Sequence, residues 1–229
     1  MSKSIAVRYR NKSKANIWLD GVKNVLILLS LRIKRQTYFV YGVFFIVSSL
    51  FIILFDKFFL HLKINQIHTS FLDTFFKYST FLGDGVMFGV LALFFVFVKR
   101  RIVLVFLISG VLTLLVTHFF KKIIFKGIPR PVGVFGEDSL YLVKGVKMAL
   151  WNSFPSGHTT TAFAIFTILC LYFAKCKSQY LWISLAIVAG LSRVYLSQHF
   201  LIDVFVGSFI GIVIGFISMG LLYKHGRGI

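Results

Sequence analysis

Long apolar runs, separated by short polar or basic segments, make up most of the chain after its first 37 residues. A bilayer core about 30 Å thick is crossed by a helix of roughly 20 apolar residues. The runs predict transmembrane helices over residues 38–60, 85–98, 102–120 and 157–174, with two more inside residues 178–223. The sequence therefore predicts an all-α, polytopic membrane protein with six transmembrane helices.

The last apolar region, residues 178–223, is too long to cross a bilayer once. As a single helix its 46 residues would extend roughly 69 Å at about 1.5 Å per residue, more than twice the thickness of the core. Its only charged residues are Arg193 and Asp203, with His199 between them. Because charged side chains are costly at bilayer depth, we expect the chain to turn back at residues 192–199, near one membrane face.

Two other segments are amphipathic and are predicted to lie along a membrane surface. Residues 17–31 place Asp20 and Lys23 among apolar residues at helical spacing, and residues 64–82 repeat apolar side chains every three or four positions. The predicted organisation is a cytoplasmic basic tail with an interfacial amphipathic helix (residues 1–37), a six-helix domain (residues 38–223) and a cytoplasmic tail (residues 224–229).

The charge of the chain indicates a membrane orientation rather than a nucleic-acid partner. There are 26 Lys and Arg residues against 7 Asp and Glu, which gives a formal net charge of +19, and the mean hydropathy is +0.86. Basic clusters at residues 99–101, 175–177 and 224–227 fall on one side of the predicted spans, and the positive-inside rule makes that side cytoplasmic. The remaining basic residues are divided among short loops, so we expect the partners to be the bilayer and anionic groups, not nucleic acid.

The loop of residues 121–156 lies on the opposite side and breaks this trend, because it carries several basic residues and all three prolines. Pro129 and Pro131 flank Arg130, stiffen the backbone and fix the direction of a guanidinium fork that suits phosphate oxygens. The simpler alternative is that Arg130 contacts lipid head groups.

The same loop ends in Pro155-Ser156-Gly157-His158, at the start of a predicted span. The first N–H groups of a helix lack intrahelical partners, and together with the helix dipole they can hold an anion. Gly157 lets a ligand approach the backbone, and His158 adds a titratable group beside it. The pattern indicates an anion site at this helix start.

His199 and Asp203 are four residues apart, so on a helix their side chains share one face and can meet. A carboxylate that accepts one ring N–H of a histidine fixes its tautomer and leaves the other nitrogen as a nucleophile. One alternative is a polar pair that stabilises two packed helices. Another is a metal site, but one carboxylate among several cations is a poor cation ligand set, so we expect no metal.

These three segments fall on the same predicted membrane face, and together they resemble the three-part signature of the type 2 phosphatidic acid phosphatase (PAP2) superfamily. The second and third parts match residue for residue. The first departs from the pattern, because the family usually has its lysine seven residues before the arginine, where this chain has Ile123. Lys122 is assigned to that role, with Lys121 and Lys126 as rivals. Residues 80–85 also look like members of bacterial branches of the family.

The resemblance implies a PAP2-type helical bundle and a metal-independent phosphatase that uses no cofactor. It implies that His199 attacks phosphorus, that Asp203 orients His199, and that His158 protonates the leaving oxygen and later helps to activate water. The phosphate oxygens are expected to be held by Lys122, Arg130, Ser156, the Gly157 amide and Arg193.

The substrate implied is a membrane lipid phosphate: undecaprenyl pyrophosphate, a lipid A phosphate, phosphatidylglycerol phosphate or phosphatidate. We expect the protein in a bacterial inner membrane, with the active site facing the periplasm. The motif residues are expected to contact only phosphate, so they do not indicate which of these lipids is the substrate. The sequence does not indicate an oligomeric state. A catalytically silent, lipid-binding or scaffold member of the family is the alternative, and the intact His158, His199 and Asp203 weigh against it.

Overall fold

The computed structural model describes residues 35–173 and 178–223. Within these ranges the regular elements are helices: α1 (Arg35–Leu54), α2 (Lys57–Asn65), α3 (Ser70–Ser79), α4 (Val86–Val98), α5 (Arg100–Phe119), α6 (Pro131–Phe135), α7 (Gly157–Tyr172), α8 (Gln179–Tyr195) and α9 (Leu201–Tyr223). A 3₁₀ turn (Thr80–Gly83) follows α3, and a π-helical turn (Phe120–Ile124) extends α5. The prediction of an all-α fold is confirmed for the described residues. The two predicted tails lie outside them, except that residues 35–37 begin α1.

Helix α7 lies at the centre of the fold, and its residues from Thr159 to Leu171 are all buried. It packs on α9 through glycines spaced four apart on one face of that helix. A Cβ atom at Gly211 would lie 2.4 Å from the Thr160 carbonyl oxygen, and one at Gly207 would lie 2.7 Å from the Ser156 carbonyl oxygen. Small residues allow two helix backbones to approach this closely. The packing therefore fixes the start of α7 against the start of α9.

Two described helices are long and apolar enough to cross a membrane. They are α5 with its π-helical turn (Arg100–Ile124) and the part of α9 from Leu201 to Leu221. Two pairs of consecutive helices, each bent at a short break, are also long and apolar enough when taken together. They give two further candidate spans if each pair forms one span. The helices of α1–α2 meet at 113°, and those of α3–α4 at 65°. The described residues therefore contain two to four candidate spans, and the six-span layout stays a prediction.

The first predicted span ends earlier than the sequence pattern indicated. Helix α1 stops at Leu54, and Asp56 begins α2 by accepting hydrogen bonds from the backbone N–H groups of Phe58 and Phe59, at 2.8 and 3.1 Å. A carboxylate at this position satisfies helix N–H groups that would otherwise have no partner, so the chain starts a new helix in a new direction. The predicted surface segment of residues 64–82 is likewise divided, because Ile64 belongs to α2 and a new helix begins at Ser70.

Candidate active site

The turn between α8 and α9, residues 196–200, carries His199. The backbone N–H groups of Gln198 and His199 both donate to the carbonyl oxygen of Arg193, at 2.9 and 3.1 Å, which closes the turn. Helix α2 braces it from outside, because His61 Nε2 and Asn65 Nδ2 contact the Ser197 hydroxyl at 3.2 and 3.1 Å. Ser197 has φ +53°, in the left-handed region. The turn places Arg193 and His199 in one local structure.

His199 and Asp203 meet as their spacing predicted. His199 Nδ1 lies 3.2 Å from Asp203 Oδ2, and both side chains are buried. The same carboxylate oxygen accepts from the backbone N–H of Phe200 at 3.1 Å and from the hydroxyl of Ser153. Three donors around one carboxylate oxygen fix its position, and they leave Nε2 of His199 as the ring nitrogen available for chemistry.

The pKa of His199 lies well below its ordinary value of 6.5, first because the ring is buried and then because Lys121, Arg130, Arg193 and His158 add positive charge around it. Burial and nearby cations both disfavour the imidazolium. His199 is therefore neutral at physiological pH, which is the protonation state a nucleophilic nitrogen needs.

Ser156 is the N-cap of α7, and its Oγ accepts from the Thr159 N–H at 3.4 Å and from the Thr159 hydroxyl at 2.8 Å. Its own backbone N–H donates to the carbonyl oxygen of Asp203 at 3.0 Å. The N–H groups that follow, at Gly157 and His158, are in the first helical turn, where no intrahelical acceptor exists. The predicted helix start is therefore present, and its first N–H groups have no intrahelical partner.

Lys121, not Lys122, is the lysine that the structure brings to this helix start. Lys121 Nζ lies 4.0 Å from where a Cβ atom of Gly157 would be, whereas Lys122 and Lys126 are exposed. The π-helical turn at Phe120–Ile124 is the physical reason, because a wider turn changes which side chains face inward. Lys121 stands nine residues before Arg130, where the sequence pattern expects seven.

Arg130 is fixed by the far end of its own loop. Its backbone N–H donates to the Leu150 carbonyl oxygen at 2.8 Å, and its Nε donates to the Trp151 carbonyl oxygen at 3.1 Å. Pro131 follows as the first residue of α6, a position that proline favours. The stiff backbone predicted around Arg130 therefore has a second support that comes from residues 150–151.

Arg193, in the last turn of α8, is 6% exposed. Its Nη1 donates to the Thr80 hydroxyl in the 3₁₀ turn, and its Nη2 donates to Gln198 Oε1 at 3.3 Å. The buried Nε has no hydrogen-bond partner among the described residues. An unpaired donor on a buried guanidinium is available to an anion.

Sequence reasoning missed several of these contacts. Ser153 and Gln198 stand beside assigned motif residues, but their partners lie 50 and 68 residues away in the chain. Residues 80–85 were noted without a role, yet Thr80 contacts Arg193, and a Cβ atom at Gly83 would lie 2.5 Å from the His158 carbonyl oxygen. A glycine at that contact was the available signal, since only glycine allows so close an approach.

The site thus combines a buried histidine–aspartate pair with a lysine, two arginines and a helix start, inside an all-helical and strongly apolar fold. Such an arrangement can bind a phosphate group and transfer it to a histidine. The family model of the PAP2 superfamily matches residues 100–227, more than half of the chain. The chain belongs to the PAP2 superfamily and is a member of its phosphatase family.

Three bacterial proteins are similar to this chain in sequence. Lipid A 4'-phosphatase of Porphyromonas gingivalis is 28% identical over 180 residues, which cover 73% of this chain and 74% of the relative. Undecaprenyl-diphosphatase BcrC of Bacillus subtilis is 29% identical over 52% of this chain and 57% of its own length. The bacitracin transport permease protein BcrC of Bacillus licheniformis is 37% identical, but over only 27% of this chain and 30% of that protein.

Two solved structures share the fold. LpxE of Aquifex aeolicus superposes with a TM-score of 0.56 and 30% identity, covering 70% of this chain and 92% of LpxE. A transmembrane PAP2-type phosphatidylglycerolphosphate phosphatase of Bacillus subtilis superposes with a TM-score of 0.58, covering 86% of this chain and all of that one. At 20% identity the second likeness concerns the fold alone.

Proposed function

We propose that this protein is a metal-independent membrane lipid phosphatase that removes a phosphate or diphosphate group through a phospho-histidine intermediate. The observation that carries the proposal is the buried His199–Asp203 pair surrounded by the positive charges of Lys121, Arg130 and Arg193. The names of the lipid A 4'-phosphatase and undecaprenyl-diphosphatase relatives support a lipid phosphate as the substrate.

In the proposed reaction, Nε2 of His199 attacks phosphorus while the bond to the leaving oxygen breaks. His158 gives its proton to that oxygen, so the lipid alcohol leaves neutral, or the lipid phosphate leaves with one negative charge fewer. Water then attacks the phospho-histidine as His158 takes a proton from it, and inorganic phosphate leaves with His199 restored. Asp203 holds His199 in one tautomer throughout, because its carboxylate is fixed by three donors.

The phosphate oxygens are bound, in this proposal, by cations and backbone N–H groups. Lys121 takes the role first assigned to Lys122, since its ammonium group is the one beside Gly157. The other ligands are the guanidinium groups of Arg130 and Arg193, the Gly157 amide and the Ser156 hydroxyl. The Ser156 oxygen accepts from Thr159, and no described residue accepts its proton. Such groups stabilise the charge that spreads over the equatorial oxygens during phosphoryl transfer.

An apolar groove supports a lipid as the substrate. It has a volume of about 600 Å³ and lies between α1, α2, α8 and the start of α9, with Phe51, Ile64 and Leu191 among its lining residues. Leu201, which also lines it, is two residues from His199. We propose that the hydrocarbon part of the substrate lies here while its phosphate enters the site.

The proposed membrane layout keeps the six-helix domain of residues 38–223 and both termini in the cytoplasm, in a bacterial inner membrane. It is supported by the positions of the basic clusters at residues 99–101 and 175–177. The turn of residues 196–200, which carries His199, then faces the periplasm.

The decisive experiment is phosphate release by the purified protein from undecaprenyl pyrophosphate, lipid A, phosphatidylglycerol phosphate and phosphatidate, each with and without EDTA. We expect turnover of at least one lipid, unchanged by EDTA, because the ligands of the phosphate are cations and N–H groups. Turnover that disappears with EDTA and returns with Mg²⁺ would contradict metal independence. No release from any lipid phosphate would contradict the proposed function.

A further inference from the structure

Gln198, the residue immediately before His199, lies between the two arginines of the site and is 3% exposed. Its side-chain oxygen Oε1 accepts a hydrogen bond from Arg130 Nη1 at 3.1 Å and a second from Arg193 Nη2 at 3.3 Å. Arg130 stands in the loop before α6, and Arg193 stands at the end of α8. One amide oxygen therefore joins two guanidinium groups from different parts of the chain.

The other end of the Gln198 amide is also fixed. Its Nε2 donates to the Lys147 carbonyl oxygen at 3.1 Å and contacts Met148 Sδ at 2.8 Å. A flipped amide would place its own N–H groups against the guanidinium donors, so the hydrogen-bond pattern itself requires the observed orientation. Gln198 is thus held as an acceptor for both arginines.

The two arginines retain donors that no described residue uses. Arg130 donates from Nε to the Trp151 carbonyl oxygen and from Nη1 to Gln198. Its Nη2 donates no hydrogen bond to a described residue. Arg193 donates Nη1 to Thr80 and Nη2 to Gln198, and its buried Nε is without a partner in the described chain. The bridge therefore orders both guanidinium groups without saturating them.

We propose that Gln198 is a positioning residue for phosphate binding, an uncharged acceptor that keeps the two arginines together and leaves their positive charge for the substrate. Two guanidinium groups this close repel each other, and an oxygen between them offsets part of that repulsion. A carboxylate would do so more strongly, but it would also cancel the charge that attracts phosphate. The inference rests on the proposed phosphatase function, because it gives Gln198 a part in holding the transferred phosphate.

The test compares Gln198→Leu and Gln198→Glu with the wild-type protein, all full length and purified in detergent. Gln66→Leu is the matched control, since Gln66 is exposed at the end of α2. Orthovanadate serves as a phosphate-shaped probe, and its binding is measured from the rise in the unfolding temperature, which requires no turnover. The KM and kcat for a hydrolysed lipid phosphate are measured in parallel.

For Gln198→Leu we expect vanadate to bind at least roughly tenfold more weakly. Both charged guanidinium groups lose the oxygen that accepts their hydrogen bonds, so they are no longer held in place. The KM should rise by a similar factor while kcat falls less, the sign of a lost binding interaction. Gln198→Glu should fold, because its ion pairs with both arginines offset the lost hydrogen bond to the Lys147 carbonyl oxygen, and it should bind vanadate at least as weakly as Gln198→Leu. Gln66→Leu should match the wild type in every measurement.

Wild-type vanadate affinity in a folded Gln198→Leu protein overturns the proposal. So does wild-type affinity in Gln198→Glu, which would make Gln198 a structural acceptor only, and this variant decides alone if Gln198→Leu does not fold. A wild-type protein that binds vanadate but hydrolyses no lipid phosphate contradicts the proposed function, while the vanadate comparison still decides the role of Gln198. A wild-type protein that does not bind vanadate overturns the proposal as well.

Discussion

Asp203 links the two histidines of the candidate site. Its carboxylate contacts His199, and its backbone carbonyl oxygen accepts the N–H of Ser156, the residue that begins the helix of His158. One residue at the start of α9 therefore sets the tautomer of the proposed nucleophile and the position of the helix that carries the proposed acid. Because Ser156 contacts the backbone of Asp203 and not its carboxylate, a substitution of His199 leaves this contact in place.

The first prediction separates these two histidines. His199→Ala should abolish any phospho-enzyme and nearly all turnover. His158→Ala should slow lipid hydrolysis by roughly 10²–10⁴-fold, the usual contribution of a general acid. It should keep a larger share of its activity on p-nitrophenyl phosphate, whose leaving group needs no proton. Rapid denaturation at alkaline pH, where the N–P bond of phospho-histidine survives, should find phosphate on His199 in the His158→Ala protein. Phosphate on His158 in the His199→Ala protein would contradict the roles.

The second prediction concerns pH and follows from the pKa of His199, which burial and the surrounding cations hold well below 6.5. The folded protein keeps His199 neutral, whereas the unfolded chain takes up a proton near 6.5. The contribution of His199 to the free energy of unfolding is therefore lost progressively as the pH falls below 6.5.

Equilibrium unfolding of the wild type and His199→Gln, measured between about pH 8 and pH 5, checks this expectation. The free energy of unfolding of the glutamine variant minus that of the wild type should increase as the pH falls, because glutamine has no proton to gain. A difference that stays constant across this range would contradict the lowered pKa.

At the scale of elements, the contact between α7 and α9 positions the site. Gly207, Gly211 and Gly215 follow one another at four-residue intervals and leave no room for side chains against α7. Helix α2 then braces the turn of residues 196–200 through His61 and Asn65. The helices that carry the site are thus held by close backbone packing on one side and by a buried polar contact on the other.

The third prediction tests that packing. In Gly211→Ala the new methyl group would lie 2.4 Å from the Thr160 carbonyl oxygen and 2.8 Å from Phe163 Cβ, so the two helices must separate. We expect a loss of about 1–3 kcal/mol in the free energy of unfolding, as for other overpacked cores. The measurement is the unfolding temperature in detergent.

Gly89→Ala in α4 is the control, because nothing lies within 4 Å of its new Cβ atom. It should leave stability unchanged or raise it by up to about 1 kcal/mol, since alanine loses less conformational entropy than glycine in a helix. Equal stability of Gly211→Ala and the wild type would contradict the role given to the glycines.

At the scale of the whole molecule, the positions of the basic residues support the proposed orientation, and the fold brings the three motifs together. The basic clusters flank the apolar helices, while the positive charges of the site are gathered around one buried carboxylate. In the proposed layout the same residue types therefore serve two purposes, orientation at one membrane face and phosphate binding at the other.

The fourth prediction concerns this orientation. A periplasm-dependent reporter such as alkaline phosphatase, fused after Ile229, should be inactive, and a cytoplasm-dependent reporter at the same position should be active. A fusion within the loop of residues 136–150 should show the reverse pattern. Activity of the periplasmic reporter after Ile229 would contradict the proposed layout and the periplasmic active site with it.

The sequence by itself determined what depends on neighbours along the chain. Apolar runs predicted helices, a four-residue spacing predicted the contact of His199 with Asp203, and Pro155-Ser156-Gly157 predicted a helix start. The motifs also identified the family, which the PAP2 family model confirms. Each of these features arises within a few residues, where helical geometry alone decides which groups meet.

Only the tertiary structure decided which distant groups meet. A π-helical turn brings Lys121 to the site in place of Lys122, and Gln198 reaches an arginine 68 residues away. The break of the first span at Asp56 likewise depends on what α2 packs against as well as on the capping carboxylate. An argument from periodicity assumes a regular helix, so it does not predict a widened turn. Contacts between distant residues depend on how the helices pack, and no local sequence pattern shows which helices will pack together.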